Sequence, residues 1–290
     1  VKRRPGDRQL GTWVAVDGET ALVSTLFADD GDTVYVLRRN GVIWTQEAAL
    51  TVSGETGNTL VNSIALDGNT ALIAGGGTVS VFVRTTTGAG TTWTQQVQFT
   101  PADGGSGGFG FAVALHGDTA LIGDIGGAAY VFVRTGATWS QQAKLTASDG
   151  AADDFFGGRV GLDGDTALIG AWGDDDQGNS SGSAYVFVRT GTTWSQQAKL
   201  TASDGAVNNL FGASVALEGD TVLIGSQNSG NQGGGAAYVF ARTNTTWTQQ
   251  AKLTANDGTL GNAFGQSVAL DADTALIGAA RDDEQGNQAG

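Results

Sequence analysis

Carboxylates are the residues of this sequence best placed to do chemistry, and they come in clusters. Asp174, Asp175 and Asp176 are consecutive, as are Asp282, Asp283 and Glu284, and Asp29 and Asp30 form a shorter group. At this density carboxylates can hold a hard divalent cation, which takes about six to eight oxygen ligands. They can work as an acid and base pair if their surroundings separate their pKa values. They can also simply keep a loop solvated. On the cation reading the ligands are Asp174, Asp176, Asp282 and Glu284, with calcium the one candidate cofactor and none strictly required. Trp172, Asp174, Asp176, Asn179, Asn228, Asn231, Asp282 and Asp283 are the candidate contacts for a protein or glycan partner. Trp172 is the first to test as an exposed ligand contact, because it interrupts the repeat pattern set out below.

Other chemistries are poorly supplied. The chain has one histidine, His116, and no cysteine. That removes a His-based triad, a thiol nucleophile and thiolate or His-rich metal centres. No catalytic residue is expected, and the chain is read as a non-enzyme. Its 15 basic and 29 acidic side chains give a net charge of −14, which repels nucleic acid and anionic lipid. No apolar run approaches the roughly 20 residues that span a bilayer. Neither a nucleic-acid partner nor membrane insertion is expected. An acidic chain without cysteine or methionine suits a secreted or cell-surface setting. Lys2, Arg3, Arg4 and Arg8 make residues 1–9 a basic arm or linker on this acidic protein.

The elements that must position these residues are announced by a repeat. An apolar residue followed by Gly, or once by Val, recurs at Leu10, Leu60, Phe109, Phe156, Phe211 and Phe264, at steps of 50, 49, 47, 55 and 53. The motif W-[TS]-Q keeps the same beat at Trp44, Trp93, Trp139, Trp194 and Trp247. In the fourth copy four strand-like runs are clear: Gly158 to Leu162, Thr166 to Ala171, Ala184 to Arg189 and Trp194 to Leu200. Asp163-Gly164-Asp165 between the first two is a hairpin turn, since Asp and Gly tolerate positive φ. Strict alternation would put Trp194, Gln196, Ala198 and Leu200 on one packed face, with Ser195, Gln197 and Lys199 on the other. Tyr185 and Phe187 share one face of the third run, and Ala184, Val186 and Val188 share the other. The repeated tryptophans suit either sugar stacking or packing, and their fixed place in every copy favours packing.

Four antiparallel strands in about 50 residues is the pattern of a propeller blade. The expected fold is an all-β propeller over residues 10–290, with five complete blades and a half-blade, six or seven in the intact assembly. The sixth copy stops after two runs, and a longer chain or a neighbouring one is expected to complete it.

The motifs F-G-x-S-V-A-L-D-G-D-T-A-L-I-G-A, A-Y-V-F-V-R and W-x-Q-Q-A-K-L-T-A-S-D-G, repeated in one order, resemble the bacterial FG-GAP repeat group, related to the propeller of integrin α-subunits. The resemblance covers nearly the whole chain from Leu10. It implies a propeller with a role in adhesion or recognition, often with calcium in its loops. The integrin-type calcium loop reads D-x-D-x-D-G, whereas the corresponding turns here are short, at Asp67-Gly68-Asn69, Asp163-Gly164-Asp165 and Asp271-Ala272-Asp273. Any calcium is therefore expected in the acidic loops between second and third strands. The expected function is a non-catalytic extracellular interaction or assembly module, partnered by a protein, a glycan or neighbouring copies of itself. The alternative is a calcium-stabilised adhesin or lectin-like protein. Copies four to six carry the longest loops, which places the partner site over those blades.

Overall fold

The computed structural model describes residues 9–26, 32–51, 61–227, 234–256 and 262–280. Every regular element among them is a strand. The first sheet holds β1 (Gln9–Asp17), β2 (Thr20–Leu26), β3 (Thr33–Asn40) and β4 (Ile43–Thr51). The second holds β5 (Val61–Asp67), β6 (Thr70–Gly75), β7 (Thr78–Thr87) and β8 (Gly90–Phe99). In the third are β9 (Phe109–His116), β10 (Thr119–Asp124), β11 (Ala128–Thr135) and β12 (Thr138–Leu145). The fourth comprises β13 (Arg159–Asp163), β14 (Thr166–Ala171), β15 (Ser183–Thr190) and β16 (Thr193–Leu200). The fifth comprises β17 (Phe211–Glu218), β18 (Thr221–Ser226), β19 (Ala236–Thr243) and β20 (Thr246–Leu253), and β21 (Phe264–Asp271) pairs with β22 (Thr274–Ala279) alone. Each four-stranded sheet is a simple meander of neighbours in chain order. The chain divides into two compact units, Val1–Ile122 with Phe132–Gln141, and Gly123–Val131 with Gln142–Gly290.

The second strand of a blade is an unbroken apolar run because it is covered on both faces. All six residues of β14 are buried. Between the fourth and fifth blades, Leu168, Val186 and Leu200 meet Phe211, Val222, Ile224 and Tyr238 in one cluster.

The fourth strand departs from the alternation read off the sequence, and the reason is a β-bulge. Gln196 pairs with Phe187 and Ala198 with Val186, so Gln197 has no partner across the ladder. The same extra residue occurs at Glu47, Gln96 and Gln250. Past the bulge the faces exchange. Trp194, Gln196 and Lys199 therefore share a face with Arg189, Phe187 and Tyr185, and Leu200 lies on the opposite face from Trp194. On the shared face the cations cover rings: Arg189 lies 5.2 Å from the Trp194 centroid and Lys199 5.3 Å from that of Tyr185.

The residue at this position of the fourth strand is also the link to the next blade. Trp247 donates its indole N–H to Gln197 at 2.8 Å, Trp194 to Gln142 at 2.9 Å, Trp139 to Gln96 at 3.1 Å and Trp93 to Glu47 at 2.9 Å. One residue earlier, Gln196 accepts from the backbone N–H of Ser148 and donates to its hydroxyl, and Gln249 does the same with Ser203. Blade turns are tied likewise: Asp17, Asp67, Asp163 and Glu218 accept from the backbone N–H of Gly68, Gly117, Gly219 and Ala272. The glycine of the F-G pair completes the contact. Gly212 has φ +90°, and a Cβ there would collide with the Ser183 carbonyl. Only glycine meets both demands.

Candidate functional site

Blade four inserts residues 172–182 between β14 and β15, where the second blade has only a tight turn between Gly75 and Thr78. Backbone bonds hold the insert in place. Gly182 N–H donates to the Asp174 carbonyl at 2.9 Å, Gly178 N–H to that of Asp175 at 2.9 Å and Ser181 N–H to that of Gly178 at 2.9 Å. The Asp175 carboxylate accepts from Ser180 N–H at 2.7 Å. Its flanks are anchored too: Gly173 N–H reaches the Asp154 carbonyl, and Asn208, Leu210 and Phe211 donate to the carbonyls of Asn179, Ser180 and Ser181.

Beneath the insert lies the strongest charge cluster among the described residues. The Lys199 ammonium sits 2.8 Å from Asp149, 2.8 Å from Asp174 and 2.6 Å from Asp176. The Tyr185 hydroxyl lies 3.0 Å from Asp149 and 2.9 Å from Asp174, its single proton shared between the two, and Ser183 Oγ donates to Asp174 at 2.9 Å. The Asp174 side chain is only 4% exposed, against 59% for Asp176. Burial pushes the Asp174 and Asp149 carboxyls up, but the ammonium and the hydroxyl donors outweigh it and hold both below the usual carboxylate range. For Lys199 burial acts to lower the pKa and the three carboxylates outweigh it, so the amine stays protonated well beyond its ordinary value. Burial, then the Asp174 charge, pushes the Tyr185 phenol up, so it remains a donor.

The cluster is an elaboration of something the repeat already contains. In the fifth blade Lys252 pairs with Asp204 at 2.7 Å and Tyr238 donates to the same carboxylate at 2.9 Å. In the third, Lys144 lies 5.3 Å from the Tyr130 ring centroid. Asp174 and Asp176 are the additions made by the fourth blade. Sequence reasoning singled out those two but missed Lys199, Tyr185 and Asp149. The signal was present as a tyrosine and a lysine fourteen positions apart in three copies.

Trp172 is not the freely exposed contact expected of it. It is half-buried, because its ring lies where a Cβ on Gly158 would collide with it, stacked on Phe155 at 5.4 Å and covered by the Arg159 guanidinium at 5.3 Å. Exposure falls instead to Phe155, 37% accessible, with Asp153, Asp175 and Asn179 also on the surface. Asp154 is buried and accepts from Ala151 N–H at 2.6 Å. Burial pushes its carboxyl above the ordinary range, with the Asp174 charge adding to the shift. Asn228, Asn231, Asp282, Asp283 and Glu284, with Asp29 and Asp30, lie outside the described residues. Among the described residues no three or more His, Cys, Asp or Glu side chains are arranged to hold a metal ion. The carboxylates of Asp149, Asp174 and Asp176 enclose an ammonium instead.

Two solved structures share the fold at low sequence identity. A crystal structure of a putative 6-phosphogluconolactonase from Bacteroides uniformis matches with a TM-score of 0.61 at 14% identity, over 92% of this chain and 77% of that one. The Chaetomium thermophilum Sqt1, bound to the N-terminus of the ribosomal protein L10, matches with a TM-score of 0.60 at 15% identity, over 94% and 69%. No curated protein matches the sequence. The FG-GAP repeat model matches residues 93–132, 139–187, 194–240 and 247–290, each match opening on the tryptophan that locks one blade to the previous one. With more than half its length matched and its five four-stranded blades in place, this all-β propeller chain belongs to the FG-GAP repeat family.

Proposed function

We propose that the chain is a non-catalytic protein-interaction module of a secreted or cell-surface protein, and that it meets its partner with the fourth-blade insert, residues 172–182, and the adjoining crossover. One observation carries this reading. The recurrent polar side chains are spent on the scaffold: the tryptophans, the bulged Gln and Glu residues and the turn carboxylates all bond within or between blades. Among the described residues, what remains exposed and particular to one blade is the fourth-blade insert, fixed in shape before any partner arrives, which lowers the ordering cost of binding. Peptide capture is within reach of this fold, since Sqt1 is seen with the N-terminus of L10.

The calcium-stabilised adhesin or lectin-like alternative has less support. The Lys199 ammonium already sits between Asp174 and Asp176, where a cation would have to bind, and it cancels one of their charges. No cofactor is therefore proposed, and thermal unfolding is expected to be the same in millimolar Ca²⁺ and in EDTA. A clear rise with Ca²⁺ would favour the adhesin.

The test is comparative capture. Immobilised protein is presented with a surface-protein extract, beside a variant whose residues 173–181 are replaced by a short Gly-rich turn. The module reading expects a partner retained by the native chain and lost from the loop-deleted one, with unfolding of both still cooperative. Equal retention by the two would refute it, as would turnover of esters or lactones abolished by Asp154→Asn or Asp176→Asn.

A further inference from the structure

Resting on that reading, we propose that the fourth-blade surface receives a cationic side chain of its protein partner, carried beside an apolar one, over the exposed ring of Phe155.

The crossovers into the fourth and fifth blades share one backbone conformation, and the described residue just before the sixth blade matches it. Positive φ occurs at Asp153 and Phe155 (68° and 57°), at Asn208 and Leu210 (62° and 55°), and at Ala263 (56°). The conformation therefore belongs to the scaffold. What distinguishes the fourth blade is the side chain it carries there. Leu210 is half-buried and Ala263 buried, whereas Phe155 is large, aromatic and 37% exposed. It is the outer member of a stack: Arg159 lies over Trp172, and Phe155 stacks on Trp172 with an interplanar angle of 21°.

In blade after blade this protein lays a cation over a tryptophan or tyrosine ring. Arg39, Arg134, Arg189 and Arg242 lie over Trp44, Trp139, Trp194 and Trp247 at 5.1–5.8 Å, and Lys199 and Lys252 over Tyr185 and Tyr238. Among those residues no cation covers Phe155. Its neighbours are acidic instead. Asp153, two residues before it, is exposed and makes no ion pair with any described residue, and Gly173, against which the ring rests, leads into Asp174, Asp175 and Asp176. An aromatic face with carboxylates around it attracts a cation through both the ring quadrupole and the charge. It repels an anion, and the net charge of −14 reinforces that sign. Phe155 on one flank of the insert and Val207, 52% exposed, on the other supply the apolar contact.

The test uses the whole chain and a short capped probe peptide, glycine-leucine-arginine-leucine-glycine, followed by NMR on the Trp172 indole N–H and the backbone amides of residues 151–159. Citrulline in place of arginine keeps the shape and removes the charge. The expected result is a saturable shift of these signals with the arginine peptide, and binding at least about fivefold weaker with citrulline. Phe155→Leu installs the residue that the fifth blade holds in the same conformation, so it preserves the fold, and it should weaken the arginine peptide by a similar factor. Equal binding of the two peptides, an undiminished shift in the Phe155→Leu variant, or no saturable shift up to about 10 mM peptide would overturn the proposal. If the loop deletion abolishes partner capture while Phe155→Leu leaves it intact, the cationic contact is wrong and the module stands. If capture is indifferent to the loop deletion, the module reading itself fails.

Discussion

Lys199 shows how a single residue decides what a carboxylate cluster can be. Three carboxylates within 2.8 Å of one amine saturate it, and the most buried of them, Asp174, also takes two hydroxyl donors. Removing the ammonium with Lys199→Met would leave Asp174 buried and uncompensated. We expect a loss of about 3 kcal/mol in denaturant unfolding, at the low end for a broken buried pair, because Asp149 and Asp176 keep much of their hydration. The same variant should acquire a calcium-dependent rise in melting temperature that is not expected of the native chain. Acid acts on the cluster with a definite sign. Asp149, Asp174 and Glu47 have depressed native pKa values, so their contribution is present above about pH 4 and is lost as pH falls through the native values. Asp154 has the opposite sign: its raised native pKa makes ionisation costly once pH climbs past the unfolded value. Asp154→Asn, which places there the residue found at Asn209 and Asn262, should stabilise the protein at pH 7. The gap should close below pH 4. A pH series of urea midpoints for the two proteins would show it, and a gap that persists in acid would contradict the assignment.

Between strands, the bulge matters most. At Gln197 it turns one side chain out of the ladder and aims it at the indole of the next blade, so a local irregularity performs the long-range joining. Gln197→Ala should cost about 1 to 3 kcal/mol, since it leaves the N–H of the buried Trp247 without an acceptor. Faster hydrogen exchange at that indole, with the other tryptophans unchanged, would locate the effect. The four runs, their turns and the W-[TS]-Q motif were all legible in the sequence. The faces of the fourth strand were not, because alternation counts residues and a bulge adds one without any change of residue type. Lys199 was misplaced for that reason: moved to the Trp194 face, it meets Tyr185 and the acidic insert.

At the scale of the molecule, repetition made the fold readable and hid the site. Six copies fix blade, turn and family, because each interblade contact recurs and leaves its mark in every copy. A site particular to one blade leaves no such mark. Asp174 and Asp176 stood out as charges, but their pairing with Lys199 depends on a strand and a crossover far away in sequence. Trp172 stood out as an irregularity, yet its ring is packed and its neighbour Phe155 carries the exposure. The division of labour we propose follows: repeated polar residues hold the blades, and the unrepeated surface of the fourth blade is left to meet a partner. Measuring thermal stability and partner capture together on the loop-deleted chain and on Gln197→Ala tests that division most directly. The account predicts that the loop deletion loses capture while the chain still unfolds cooperatively, whereas Gln197→Ala loses several degrees of melting temperature and keeps capture. Capture that survives the loop deletion but fails with Gln197→Ala would contradict it.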